Sequence, residues 1–402
     1  MSNVLLTSSI VAKKTLAILE NSFAFSANVN RTWEDEYQGS MSRGYAPSAT
    51  INIKKPSRYT YRSGRVSVPQ ASTETTVPLT LTQGGCDLNF TSFERTVGLT
   101  ETSIEEKLQA AIAATVNEID RQGLDLARTT AFNTINVSGA VPTTQFGAMQ
   151  TFTDSYARLS EMGANSDDRS FVLSTRLNAA SVAGLSATFN DVGSISKNYK
   201  TGIMVPALGY NIGWSQNVAS QVYGAATATN INGANQVGSN ITVAATVGGT
   251  LTKGTAITLP GVYAVNPQTR VTTGVFANFI VTSDVLVGST NIPVSPAIVT
   301  SGAFQNVTAS PTNGAPYVIL GTPGASYQTS IAFHKQAFTL AMVPMEVPVG
   351  LGVKCSQVSR NGFTVKVTDG YDFINDNTLM RIDVLYGWTA TYPELAVRYL
   401  NV

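Results

Sequence analysis

Apolar and polar positions along this chain fall into distinct rhythms. From 51 to 81 they step by two: Ile51/Ile53, Tyr59/Tyr61, Val66/Val68, then Val77, Leu79 and Leu81. That is the period of a strand. Ser63-Gly64 supplies a turn signal, so the stretch predicts a long β-hairpin. From 102 to 132 apolar residues recur at 104, 108, 111/112, 115/116 and 119, the one-sided stripe of a helix. Thr102 and Ser103 each have a Glu three positions later, Glu105 and Glu106, a capping-box start. A rod of about 25 residues, roughly 37 Å long, is expected, and Leu124 and Leu126 continue its apolar face beyond Gly123. A shorter amphipathic helix is expected over 4–23, carried by Val4, Leu5, Ile10, Val11, Leu16, Ile18 and Leu19.

Between 150 and 220 the pattern alternates. TFTDSYARLSEMG reads as a helix ended by Gly163, FVLS (171–174) as a buried strand, and TRLNAASVAGL as another helix. Near 222 the pattern changes to short β-branched runs separated by turn residues: NITVAATV, TAITLPGVYAVN, RVTTGVFANFIVT and VLVGSTNIPVSP. This predicts an all-β barrel or sandwich inserted into a mixed α/β parent. After 330, IAFHKQAFTLAMVPMEV, GFTVKVTDGYDF and LMRIDVLYGWTATYPELAVRYLNV read as strands that complete the sheet begun before 220.

Charge sharpens these borders. Lys253, Arg270 and Asp284 are the only charged residues in the 110 positions from 221 to 330, against 48 in the other 292. Charged residues are 13% of all 402, where about 25% is usual, so much of the surface is expected to be covered by neighbours. Net charge is +1, and a binding site for an anionic partner must therefore be a local patch. One exists. From Tyr37 to Thr73 there is no acidic residue, while Arg43, Lys54, Lys55, Arg58, Arg62 and Arg65 are basic. Acidic clusters flank it at Glu34, Asp35 and Glu36, and at Glu101, Glu105 and Glu106. Tyr59 and Tyr61 among the basic residues would suit nucleic acid. A basic arm and acidic patches on one near-neutral chain also suit head-to-tail self-association.

Candidate chemistry is sparse. His334 is the one histidine, between Phe333 and Lys335 in a strand-like run, and reads as a buried or edge residue with no nucleophile or orienting acid assigned to it. GGTLTKGT (248–255) lacks phosphate-loop spacing and a following helix. Asp167-Asp168 and Asp369…Asp372…Asp376 lack calcium-loop spacing, and the second set reads as a polar turn. Cys86 and Cys355 have no CxxC context and are expected as free thiols in a reducing compartment. The N-terminus does not read as a secretory signal, because Lys13 and Lys14 follow its first apolar run. No apolar stretch is long enough for a transmembrane helix. No catalytic residue, cofactor site or metal site is expected.

The order of elements, with INIKKPSRYT…VPLTLTQGGCDLNFTS, AAIAATVNEIDRQGL (Glu118, Asp120, Arg121), GVYAVNPQTR and RIDVLYGWTATYPELAVRYL, resembles the major capsid (coat) proteins of tailed double-stranded DNA phages, most closely those of P22-like short-tailed phages. The resemblance covers essentially the whole chain. It implies an α+β, HK97-like phage capsid fold with an inserted all-β barrel domain. The implied borders are an N-terminal arm (1–40), an extended β-hairpin or E-loop with exit strands (41–95), and a spine helix with peripheral domain (96–150). An axial α/β domain (151–222), the insertion (223–329) and return strands (330–402) follow. It also implies a non-enzymatic protein that assembles with copies of itself into pentamers and hexamers of an icosahedral head. A scaffolding protein, a portal at one vertex and double-stranded DNA packaged without sequence-specific binding are the other implied partners, with no membrane. The implied location is the virion, with synthesis and assembly in the host bacterial cytoplasm. Lys54, Lys55, Arg58, Arg62 and Arg65 are then expected over acidic or polar surface of an adjacent subunit, with Glu34, Asp35, Glu36, Glu101 and Glu105 among the complementary acids. A carbohydrate-binding or adhesin-like β protein is the alternative. It would draw on Tyr223, Tyr263, Phe276, Phe279, Phe304 and Tyr317, with no Trp in the segment to stack on a sugar.

Overall fold

A computed structural model describes residues 24–33, 50–67, 69–71, 74–91, 101–185, 208–246, 248–347, 354–360 and 363–402. The expected helix over 4–23 and the acids Glu34, Asp35 and Glu36 lie outside the described residues, as does Arg43. Elements in chain order are β1 (Thr50–Lys55), β2 (Thr75–Thr80), β3 (Thr82–Thr91), helix α1 (Glu101–Thr130), β4 (Asn133–Ile135), α2 (Gln145–Glu161), β5 (Arg169–Leu173) and α3 (Thr175–Leu185). Then come β6 (Asn211–Trp214), β7 (Ser220–Val222), β8 (Gly238–Thr242), β9 (Ala256–Val265), β10 (Thr272–Val281), β11 (Asn291–Ile298) and β12 (Val318–Ile319). The chain ends with β13 (Ser326–His334), β14 (Phe338–Met342), β15 (Lys354–Arg360), β16 (Phe363–Asp372), β17 (Asn377–Ala390) and β18 (Ala396–Asn401). The chain divides into two compact units, each assembled from three separate stretches.

The first unit takes residues 1–53, 78–123 and 339–389. Its sheet has the order β14-β17-β16-β15, and β3 also pairs with β17 in register from Asn377↔Thr91 to Tyr386↔Thr82. Alternate positions Val365, Val367, Ile382 and Val384 are fully buried, as the period of a half-covered strand demands. Helix α1 carries its stripe through Ala111, Ile112, Val116 and Ile119. Asp120 on the same face is also buried, and accepts from the backbone N–H of Ala24 (3.1 Å), Phe25 (3.3 Å) and Ser26 (3.1 Å) and from the Ser26 hydroxyl. At 30 residues the helix exceeds the expected length.

The second unit takes residues 54–77, 124–338 and 390–402. One sheet runs β4-β18-β13-β5-β6, with β7 also on β13. Phe152 and Leu159 of α2 and Leu177 of α3 pack against Phe171, Ile212, Ala332 and Val397. Helix α2 begins six residues before the predicted stretch, because Thr144 caps it by accepting from Gly147 N–H at 3.1 Å. A second sheet, β12-β9-β10-β11-β8, is built from the charge-poor stretch around its own core, including Ile241, Ile257, Leu259, Phe279, Ile292 and Tyr317. The β9–β10 register jumps between Phe276↔Tyr263 and Asn278↔Thr258. Pro260 lacks a donor there and Gly261 has φ +82°, which any Cβ would resist.

The return strands do not all rejoin the sheet begun before 220. IAFHKQAFTLAM breaks at the 3₁₀ turn Lys335–Ala337: β13 joins β18 and β5, whereas β14 belongs to the β17 sheet. Within the second unit, Arg398 on β18 is wholly buried. Its guanidinium donates to the carbonyls of Arg128 (2.7 Å) and Gly254 (2.8 Å) and to Thr134 Oγ1 (2.9 Å). Burial pulls its pKa down to about 10, so it stays charged at neutral pH.

Candidate functional site

The predicted hairpin is a short two-stranded root and a long loop. β1 and β2 pair, and Thr50 and Thr80 share a hydroxyl hydrogen bond of 2.9 Å. Ile53 and Leu79 are buried with Ala341 and Val343. The described residues between Pro56 and Glu74 hold no strand. Pro56 and Pro69 have no N–H to donate, so the alternating Tyr59/Tyr61 and Val66 positions cannot extend a ladder through them. One side-chain amide takes the ladder's place. Gln70 accepts from Thr60 N–H (2.8 Å) and Thr60 Oγ1 (2.9 Å), and donates to Thr60 O (2.7 Å). Gly64, at φ +95°, turns the chain, and Arg62 donates to the carbonyls of Gly64 and Val66 across that turn.

The basic residues divide into two groups. Near the root, Lys54 pairs with Glu74 at 3.1 Å. Lys55 lies over the Tyr392 ring at 5.1 Å, and burial pushes its ammonium pKa down against the pull of Glu394. Arg58 pairs with Glu394 at 3.0 Å and lies 5.8 Å from the Phe304 ring centroid. Beyond the root, Arg62 is spent on its own turn and Arg65 is exposed. Tyr61 is 94% and Val66 80% exposed. Of the expected complementary acids, Glu34, Asp35 and Glu36 lie outside the described residues. Glu101 and Glu105 lie in the first turns of α1, and their side chains, with the capping box, are likewise outside the description. Sequence reasoning did not find Glu394, Tyr392, Phe304 or Arg270 as companions of the arm. The one available signal was the isolation of Arg270 in a stretch with almost no charge.

Other candidates have local roles. His334 accepts the Gln336 N–H on Nδ1 at 3.3 Å. Burial lowers its pKa; Asp168 and Asp167 pull it up, while Arg169 and Lys335 push it down. Asp372 accepts from Ile374 N–H (3.0 Å) and Asn375 Nδ2 (2.7 Å), closing the β16–β17 turn. Among the described residues no cluster of three or more metal-ligating side chains occurs. Both cysteines are free. Of the aromatic residues available to a sugar platform, Tyr223, Phe279 and Tyr317 are buried. Tyr263 and Phe276 stack on each other at 5.0 Å, each covering one face of the other.

The strand-rich α+β chain, with its 30-residue helix and a loop that leaves Tyr61, Arg65 and Val66 exposed, has an HK97-like phage capsid fold. The family model for P22 coat protein - gene protein 5 matches residues 84–399, and the chain belongs to that family. It is a major capsid protein of the tailed-phage kind, a virion component of an icosahedral head. A solved structure from Mycobacterium phage Che8 is similar over 94% of this chain and 91% of its own, at TM-score 0.50 and 13% identity, a likeness of fold. The capsid structure of Cyanophage P-SCSP1u covers 89% of this chain and 84% of its own, at TM-score 0.43 and 11% identity. A virus-like particle from Pyrococcus furiosus covers 97% of both chains, at TM-score 0.40 and 8% identity. No curated protein matches the sequence.

Proposed function

We propose that this chain forms the pentamers and hexamers of the head by laying its arm over an adjacent copy. The observation that carries the reading is the arm's far end. Tyr61 and Val66 are apolar groups left almost wholly in water beside the exposed Arg65, a placement that burial against a partner would reward at about 25 cal/mol per Å². A second copy suits that end, because acidic clusters flank the arm in the same sequence. Individual exposed ion pairs are worth about 0.2–1 kcal/mol, weak enough for errors to anneal and numerous enough to sum. Segment 223–329 acts in this reading as an inserted β domain, supported by its separate apolar core. The role is purely structural: His334 serves a backbone turn. A scaffolding protein, a portal and DNA held without sequence readout complete the assembly, which takes place in the host bacterial cytoplasm.

The test is expression of the full chain with a scaffolding protein, viewed by electron microscopy. Shells are expected from the unmodified chain, and none from a chain carrying Tyr61→Ala and Arg65→Glu, whose subunits remain folded by circular dichroism. Normal shells from that variant would overturn the arm's role.

A further inference from the structure

The basic residues at the arm's root meet groups of their own chain. Arg58 and Glu394 stand 336 positions apart in sequence, with a 3.0 Å contact between side chains only 33% and 20% exposed. Arg270 approaches from a third stretch, donating to Tyr59 O at 2.7 Å and to Ala303 O at 3.2 Å. Its backbone is left-handed, φ +58°, a conformation that costs a non-glycine residue roughly 1–2 kcal/mol. The turn that imposes it is buttressed by Asn266, whose side chain accepts from Gln268 N–H (2.8 Å) and Thr269 N–H (3.0 Å). Cavities of about 420 and 280 Å³ flank Arg58, both also lined by Glu394, Met162 and Pro267. Close packing therefore does not fix Arg58 itself; its polar contacts do. Beyond Tyr59, Gln70 and the Arg62 turn close the loop among its described residues.

We infer that Arg58 is a positioning residue: with Arg270 it straps the root of the arm to Glu394 of the same chain, aiming the arm before any neighbour is met. Ordering a chain segment costs about 1–2 kcal/mol per residue. A root already fixed in the free subunit spares the intersubunit contact that share, which is the advantage of preorganisation. The strap rests on the reading that the far end of the arm meets a second copy. It reassigns Arg58 from the neighbour's surface to the chain's own.

Charge exchange separates the two geometries. Arg58→Glu and Glu394→Arg are each expected to abolish shells, and the double variant in one chain to restore them. A mixture of the two single variants distinguishes contact within a chain from contact between chains. If the pair joined different copies, alternating subunits would re-form it and shells would return; within one chain, both members repel and no shells form. A second readout uses unassembled full-length subunits, so it does not depend on assembly. Trypsin cleavage after Arg62 and Arg65 should be about fivefold faster in Arg58→Gln, the factor that ~1 kcal/mol of ion pairing converts to. It should return toward the original rate in the charge-exchanged double variant. Shells from the mixture, normal shells from either single variant, failure of the double variant or unchanged cleavage would each overturn the strap. If instead Tyr61→Ala with Arg65→Glu assembles normally while cleavage behaves as stated, the strap stands and the reading of the arm's far end fails.

Discussion

Asp120 shows what one residue can anchor. A carboxylate taken from water costs several kcal/mol unless its lone pairs are met. Here three successive backbone N–H groups and the Ser26 hydroxyl converge on it, a small anion nest supplied by the chain's own segment 24–26. Asp120→Ala leaves those donors buried without an acceptor and should cost roughly 2–4 kcal/mol. A denaturation midpoint of the unassembled subunit checks this; no change would mean that other contacts hold the segment. Two residues earlier, Glu118 takes a two-point contact from Arg121 (2.8 and 2.6 Å) and another from Gln122 (2.8 Å). These hold its carboxyl at about 2, below the ordinary 4.5. A depressed folded-state pKa means that the contribution is complete above pH 4.5 and disappears as pH falls through about 2. The pair is exposed, so the effect is under ~1 kcal/mol. Stability measured from pH 6 to 2 should fall less steeply in Glu118→Gln than in the unmodified chain.

At the scale of elements, helix α1 was legible because its stripe is local: residues three and four apart share a face whatever the rest of the chain does. Gly123 was legible only as an interruption. A Cβ there would lie 2.6 Å from Trp388 Cζ2 and 2.9 Å from Phe25 Cε1, where those rings stack 5.4 Å apart against the helix. Alanine is the better helix former by about 1 kcal/mol. Gly123→Ala should nevertheless destabilise the subunit, by about 1–3 kcal/mol, because overpacking outweighs propensity. A raised melting temperature would show that the rings move aside freely. The strands β9, β10 and β11 follow the β-branched runs read in the charge-poor stretch. The arm does not: its period of two is present, but Pro56 and Pro69 cannot pair. The run from Ile331 to Met342 failed in the other direction, since nothing in its pattern marks Lys335 as the point where one strand leaves its sheet.

At the scale of the whole molecule, three separate stretches build each compact unit, so sequence neighbours are poor guides to contacts. Family and shell-forming role were legible as an order of elements together with its quoted stretches, most of which lie within the residues 84–399 that the family model matches. The candidate site was legible as a charge pattern, but its partners were not. Local chemistry determined, from the sequence alone, where the long helix runs, where charge disappears and where a basic, aromatic segment lies. Tertiary structure alone decided that Arg58 meets Glu394 across 336 positions, that Asp120 faces inward to segment 24–26, and that buried Arg398 ties Arg128, Thr134 and Gly254 together. Periodicity reports which face of an element is apolar. It carries no information about which distant polar group will meet a side chain withdrawn from water, because only long-range packing selects that partner.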